Sequence, residues 1–260
     1  MKKSKVTKIR KELKKVNTPP PKKHTTLKFM IILVVLLGIL SALGYAIYTN
    51  KFDVSKVTIK GNTKYTTEEI SKTINVKGKN ILTVSIGDIE NKLKIYPYIG
   101  KAITYKKLPN EIYITIEERK PKYYILNSKN NEIVILDEIG IALESIKAEV
   151  FAQDNPLIKG MVLPEKIKYG EKINEVEYSK IIAIQHILDE YENKKIDRKI
   201  TTIDFDAYKI ILTLDDKLKV VIEDNKELEY KMRFLKNILL KVDDSEAEID
   251  MTLDSPLYKK

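Results

Sequence analysis

The sequence predicts an α+β fold class: a single transmembrane helix, then a small β-α-α-β-β domain, then a second mixed α/β-sheet domain. Three observations lead there. Phe29 to Tyr48 is an unbroken run of 20 residues without a charged side chain. Phe52 to Glu118 places two capped helix patterns between strand patterns. Beyond it, strand-like runs recur around two amphipathic helices.

A helix of about 20 residues rises roughly 30 Å, the thickness of a bilayer's hydrocarbon core. Charge divides sharply across this run. Residues 1–28 hold 11 Lys or Arg against one acid, Glu12, while residues 51–260 hold 36 basic and 36 acidic residues. The net charge of +10 therefore belongs to the tail. Basic flanks stay in the cytoplasm, which predicts a cytoplasmic N-terminus and extracytoplasmic domains. A cleaved signal peptide is the competing reading, since Ala42-Leu43-Gly44 imitates a small-residue cleavage site. Against it, signal h-regions are shorter, about 7–15 residues, with a short basic region ahead. A buried core helix would show a polar face, and Phe29 to Tyr48 has none.

The tail's basic residues, Lys2 through Lys15, are spread too evenly to build an apolar face, and Thr18-Pro19-Pro20-Pro21 stiffens the approach to the membrane. Such a segment is expected to be disordered. Its expected partner is the anionic lipid headgroup surface, at about 1 kcal/mol per basic residue. No aromatic interleaves the charges to stack on bases, so nucleic acid is not expected as a partner.

In the first outer domain, Val57 and Ile59 alternate with polar residues up to the Gly61-Asn62 turn, predicting a strand over Val54 to Lys60. Thr66-Thr67-Glu68-Glu69 is a capping box opening a helix with Ile70 and Ile74 on one face. Asn80-Ile81-Leu82-Thr83 is a short link. Ser85 with Asp88 starts a second helix bearing Ile86, Ile89 and Leu93, which Tyr96-Pro97-Tyr98 ends. A strand follows in which Ile99, Lys101, Ile103 and Tyr105 are expected to share a face. After the Leu108-Pro109-Asn110 turn, Ile112, Ile114 and Ile116 alternate with Tyr113, Thr115 and Glu117. Tyr96, Tyr98, Tyr105 and Tyr113 are expected in core or half-buried positions, with some exposed for binding.

This order resembles a POTRA domain, and the wording is similar to that of the bacterial cell-division family FtsQ/DivIB. The resemblance is carried by Val57-Thr58-Ile59-Lys60-Gly61-Asn62, by Gly78-Lys79-Asn80-Ile81-Leu82, and by Tyr96-Pro97-Tyr98-Ile99 with Ala102. Its most specific block is Leu108-Pro109-Asn110-Glu111-Ile112-Tyr113-Ile114-Thr115-Ile116-Glu117-Glu118-Arg119-Lys120-Pro121. A basic tail and one span directly ahead match as well. Lys122-Tyr123 departs from the small apolar residues more usual there. Further along, Asp137-Glu138-Ile139-Gly140 and Asn155-Pro156-Leu157-Ile158-Lys159-Gly160 resemble the family's next turn and its Pro-Leu-Ile-x-Gly segment.

The second domain reads as strands at Ile133 to Leu136, Ile200 to Phe205, Lys209 to Thr213 and Lys219 to Ile222. The last three are joined by Asp206-Ala207-Tyr208 and Asp215-Asp216-Lys217. Asn174 with Glu177 caps a helix carrying Ile181, Ile184, Leu188 and Tyr191. Another helix, near Lys226 to Val242, is expected to bury Leu228, Met232, Leu235, Leu239 and Val242. Finally Ala247, Ile249, Met251 and Leu253 alternate with Glu248, Asp250, Thr252 and Asp254. The expected organisation is a basic tail over 1–28, a transmembrane helix over 29–48, a POTRA-like domain over 52–119, a β domain over 120–254 and a short tail over 255–260.

The chain has no Cys and two His residues, His24 and His186. With that inventory no disulfide forms, and a zinc site would need unusual oxygen ligands, so no metal or cofactor is expected. No nucleophile elbow, phosphate-cradling loop or His-Glu-x-x-His is present. Asp215-Asp216 and Asp243-Asp244 are acid pairs of the kind that 36 acids in the outer residues produce by chance. The reading is a non-enzymatic protein.

The candidate site is the strand Ala247, Glu248, Ile249, Asp250, Met251, Thr252, Leu253. A terminal strand is often a sheet edge, whose unpaired backbone groups accept another strand. The apolar face would anchor it, leaving Glu248, Asp250 and Asp254 to select a basic partner. The alternative is that this strand only closes the sheet. What the resemblance implies is a divisome scaffold whose β domain binds FtsB/DivIC-like and FtsL-like coiled-coil membrane proteins, as a single-pass type II protein at the septum of a Gram-positive bacterium. Two other classes stay open: a POTRA-containing assembly or secretion factor, which would need further repeats or a barrel, and an anchored cell-wall enzyme or binding protein, which would need a glycan pocket.

Overall fold

The computed structural model describes residues 23–152, 154–206, 209–223, 227–241, 247–252 and 257–259. The basic residues of 1–22, the turn at Ala207-Tyr208, Val242, Asp243-Asp244, Leu253 and Asp254 lie outside them. The chain forms two compact units, one of residues up to 56 with 77–84 and 108–111, the other of 57–76, 85–107 and 112 onward.

In the first unit, α1 runs from Lys23 to Tyr48. It begins ahead of Phe29 because the last helix-breaking residue in its path is Pro21. The stretch long and apolar enough to cross a membrane is Leu27–Tyr48. Its large apolar side chains, from Leu27 to Tyr48, are all exposed. A bilayer satisfies such a surface; water does not. A 3-10 turn, Asn50–Phe52, leads out of it. The following backbone is clamped: Val54 N donates to Lys79 O at 2.9 Å, Ile81 N to Phe52 O at 2.7 Å and Ser55 N to Asn110 O at 3.0 Å.

The second unit begins with a small lobe. Its elements are β1 (Lys56–Lys60), α2 (Thr67–Ile74), α3 (Ile86–Leu93), β2 (Ile99–Lys107) and β3 (Glu111–Glu118), with sheet order β1-β3-β2. The Thr66–Glu69 capping box forms in full, and Ser85 accepts from Asp88 N. Ile70, Ile74, Ile89 and Leu93 are buried, as are Ile112, Ile114 and Ile116 of β3. Gly61 has φ +85°, and a Cβ there would collide with the Ile116 carbonyl. Only glycine fits that turn.

On β2 the face shared by Lys101, Ile103 and Tyr105 is the solvent face. Ile103 and Tyr105 are exposed, whereas Thr104 is buried and Ala102 half-buried. α3 packs against β2, and the side chains turned inward there are small. Tyr105 instead stacks on Tyr113 across the strands, with ring centroids 5.1 Å apart, a cross-strand pair that offsets the exposure. Of the other two tyrosines, Tyr98 is buried and Tyr96 half-buried.

The large lobe holds β4 (Tyr123–Asn127), β5 (Glu132–Leu136), β6 (Ala142–Lys147), β7 (Leu157–Lys159), α4 (Glu175–Asn193), β8 (Ile200–Asp206), β9 (Lys209–Leu214), β10 (Leu218–Glu223), α5 (Leu228–Leu239), β11 (Glu248–Asp250) and β12 (Leu257–Lys259). One sheet takes them in the order β12-β11-β10-β9-β8-β7-β4-β5-β6. β7 joins β4 and β8 in parallel. It ends at Gly160, φ +73°, where a Cβ would strike the backbone of Phe205. Both helices share one core with the sheet: Ile181, Ile184, Ile187 and Tyr191 of α4 and Leu228, Met232 and Leu235 of α5 pack with Ile125, Ile203, Leu212, Val220 and Ile249. The Lys122-Tyr123 departure proves to be the start of β4. Tyr123 is buried and donates to Gln185 on α4 at 2.7 Å, and burial pushes its phenol pKa up to about 12.

Candidate functional site

The candidate strand is reached by a crossover. β10 and β11 run parallel, with Val220 opposite Ile249, and parallel neighbours need a connection that crosses the sheet. α5 supplies it, anchored by Leu228, Met232 and Leu235 at spacings of four and three. Ala247, Ile249 and Met251 are buried in the core, Ile249 completely. Glu248, Asp250 and Thr252 are half-buried. Asp250 turns its carboxylate inward along the chain, accepting from Thr252 N at 3.0 Å and Thr252 Oγ1 at 2.7 Å. One carboxylate oxygen of Asp250 is thus engaged in a local turn.

The open edge also lies one strand further out than the alternation implied. Residues 257–259, expected within a short tail, form β12 antiparallel to β11, pairing Glu248 with Lys259, Ile249 with Tyr258 and Asp250 with Leu257. Backbone parity then decides which groups face outward. Met251 N donates to Val221 O and Ala247 O accepts from Lys219 N, so the odd-numbered residues of β11 turn toward β10 and Glu248 and Asp250 toward β12. Tyr258, opposite Ile249, therefore turns its N–H and C=O away from β11, toward the side that no strand covers among the described residues.

The far end of the sheet is partly covered. Beside β6, Gly170 N donates to Ala142 O at 2.7 Å and Ala142 N to Glu171 O at 3.0 Å. Ile141 bridges Lys172, and the hydroxyls of Ser145 and Tyr169 lie 2.8 Å apart. The segment 169–172 thus covers the start of this edge, at Ala142.

The Glu-Arg-x-Pro motif joins the small lobe to the large one. Arg119 N donates to Tyr98 O at 2.7 Å, and its guanidinium reaches Asp137 at 2.8 Å. Asp137, only 3% exposed, also accepts from Ile139 N and Ile141 N. Nearby, Glu144 of β6 accepts from Lys64 Nζ at 2.7 Å and Tyr98 OH at 2.6 Å. Burial raises the Glu144 pKa, but the bonds from Lys64 and Tyr98 outweigh it and hold the carboxyl below its ordinary value. The Tyr98 phenol is driven strongly up by burial, then by its bond to Glu144. An open groove of about 590 Å³ beside this joint is lined by Gly100, Glu117, Arg119, Asp137 and Ile139 among others. Its most buried charges are already paired with each other. Among the described residues no group of three or more His, Asp or Glu is placed to hold a metal ion, and His186 is exposed on α4.

The sequence model of the POTRA domain, FtsQ-type, matches residues 52–119. The cell division protein DivIB of Clostridium tetani is 27% identical over 195 residues, 73% of this chain and 70% of that protein. DivIB of Clostridium acetobutylicum is 23% identical over 80% of this chain and 82% of its own length. The cell division protein FtsQ of Novosphingobium aromaticivorans is 23% identical over 48% of this chain and 37% of its own length. Residues 52–119 thus match an FtsQ-type POTRA domain, and the chain is similar to cell division proteins DivIB and FtsQ. These similarities support a role in cell division, and the apolar α1 is long enough to serve as a membrane anchor. The family motif at Arg119 was legible in the sequence; its use as a joint was not, because Asp137 and Tyr98 carry no sequence mark of pairing with it.

Proposed function

We propose that this FtsQ/DivIB-like protein is a non-enzymatic scaffold of the division septum that captures strands of other membrane-anchored division proteins at the β12 end of its large sheet. The supporting observation is the asymmetry of that sheet: its β6 edge is covered at Ala142 by residues 169–172, while Tyr258 turns backbone hydrogen-bonding groups outward at the other. Strand addition draws its affinity from such groups. Ala247 to Thr252 is the supporting layer that fixes β12 in place, and Leu253 of the same stretch lies outside the described residues. The partners are coiled-coil membrane proteins of the FtsB/DivIC and FtsL kinds. The tail carrying 11 basic residues within 1–28 is cytoplasmic and rests on anionic headgroups, making the protein single-pass type II. Domains 52–119 and 120–254 then stand outside, in a Gram-positive cell.

The test is co-purification of the coiled-coil partners with the full chain and with a chain lacking residues 255–260. Loss of capture with an unchanged melting temperature supports the reading. Undiminished capture by the shortened chain overturns it. Met251→Pro is a poor substitute, since Met251 N already serves Val221 O within the sheet and its loss perturbs the fold itself.

A further inference from the structure

The collar where α1 emerges carries a second contact surface. The last four carbonyls of any helix lack partners within it, and near a bilayer an unsatisfied carbonyl is costly. Here Thr49 N takes Tyr45 O at 3.0 Å. The side chain of Asn80, far along the chain, takes the next two, Ala46 O and Ile47 O, each at 3.1 Å. Asn80 is itself held: its backbone bridges Asp53, its carboxamide oxygen accepts from Leu82 N, and buried Val54 and Ile81 flank the clamp.

This fixes a depth. A group bonded to Ala46 and Ile47 lies level with the last turn of α1, where a span ending at Tyr48 meets the headgroups. The segments tied to it must lie there too. They expose Lys51, Lys77 and Lys79, together with Leu82 and Leu108, 38% and 59% exposed. The acids of the same segments, Asp53 and Glu111, are half-buried.

We propose that residues 77–82, with Lys51 and Leu108, form a footing that docks on anionic phospholipid headgroups of the leaflet around α1, and that Asn80 locks this footing to the span. Lysines meet phosphate while the two leucines enter the acyl boundary. The proposal rests on Leu27–Tyr48 being a membrane span. It concerns the outer side of the span, and so is separate from the tail.

The chain has no Cys, so a single introduced cysteine is labelled cleanly. The full chain would be reconstituted in nanodiscs of phosphatidylcholine with or without phosphatidylglycerol, each containing headgroup spin-labelled lipid. A fluorophore would sit at Thr83→Cys or, as reference, at Ser128→Cys in the β4–β5 hairpin. Co-elution with lipid reads the span alone. Docking predicts far stronger quenching at position 83 than at 128 in phosphatidylglycerol discs. Charge reversal by Lys77→Glu with Lys79→Glu should lower the docked population roughly fivefold or more per lysine, and Asn80→Ala should lower quenching in either lipid. Both lysines are exposed, so their reversal leaves the fold intact. Equal quenching at 83 and 128 in discs that retain the chain overturns the proposal, as does indifference of position 83 to both lipid charge and lysine reversal.

Discussion

The two ends of the nine-stranded sheet solve the same problem differently. At the β6 end, residues 169–172 donate to and accept from Ala142, so the start of that edge is covered. At the β12 end a three-residue strand is laid over β11, leaving Tyr258's backbone groups turned outward. An exposed edge is a standing risk of unwanted pairing. A sheet that covers the start of one edge with its own loop and ends the other in a short strand favours pairing at the second end. The contrast is also energetic. β11 is tied to the core through Ile249, whereas β12 spans only three paired residues.

The largest effect should come from striking the layer beneath the open edge. Ile249→Asp places a charge at a completely buried position and should cost upward of about 3 kcal/mol, enough to lose the folded lobe. Thermal denaturation of the full chain in detergent checks it, and a melting temperature close to wild type would sink the assignment of β11 to the core. Next comes Arg119→Ala, which leaves buried Asp137 without its cation. A loss of about 3 kcal/mol is expected, with partner capture retained once the protein is folded, since the joint is not the edge.

A smaller but more specific effect should follow Tyr258→Pro. It removes an N–H that faces outward and none that the sheet uses, so stability should hold while partner affinity falls roughly tenfold. Isothermal titration with the partner's extracytoplasmic segment reads this. A matching loss of melting temperature would mean that the parity is reversed. At the partly covered edge, Gly170→Val forces a β-branched residue to φ +87° at a cost of about 1–3 kcal/mol. Releasing 169–172 from β6 should add self-association, visible by analytical ultracentrifugation, with partner binding unchanged.

The least effect belongs to pH at the Glu144 site. Its folded pKa is lowered, so its contribution is fully present above the ordinary carboxylate range. It is lost as pH falls through that range and then through the lower folded value. Glu144→Gln should flatten that acid limb slightly and leave neutral stability nearly unaltered, since the group is partly exposed and screened.

Local chemistry determined much of this protein. The uncharged run at Phe29–Tyr48, the Thr66 and Ser85 caps and the strict isoleucine alternation of β3 each act over a few residues, so the sequence alone states them. The same holds for the apolar spacings of α4 and α5. Tertiary structure decided what depends on partners distant in the chain. β2 keeps Ile103 and Tyr105 outside because α3 lies against its other face. β7 and β12, three residues each, are too short to display an alternation of their own. Which strand ends the sheet, which carboxylate Arg119 meets and which amide closes the end of α1 are all settled by long-range pairing. A local pattern fixes which face of a segment is apolar, and only packing selects what that face, or the backbone beside it, will meet.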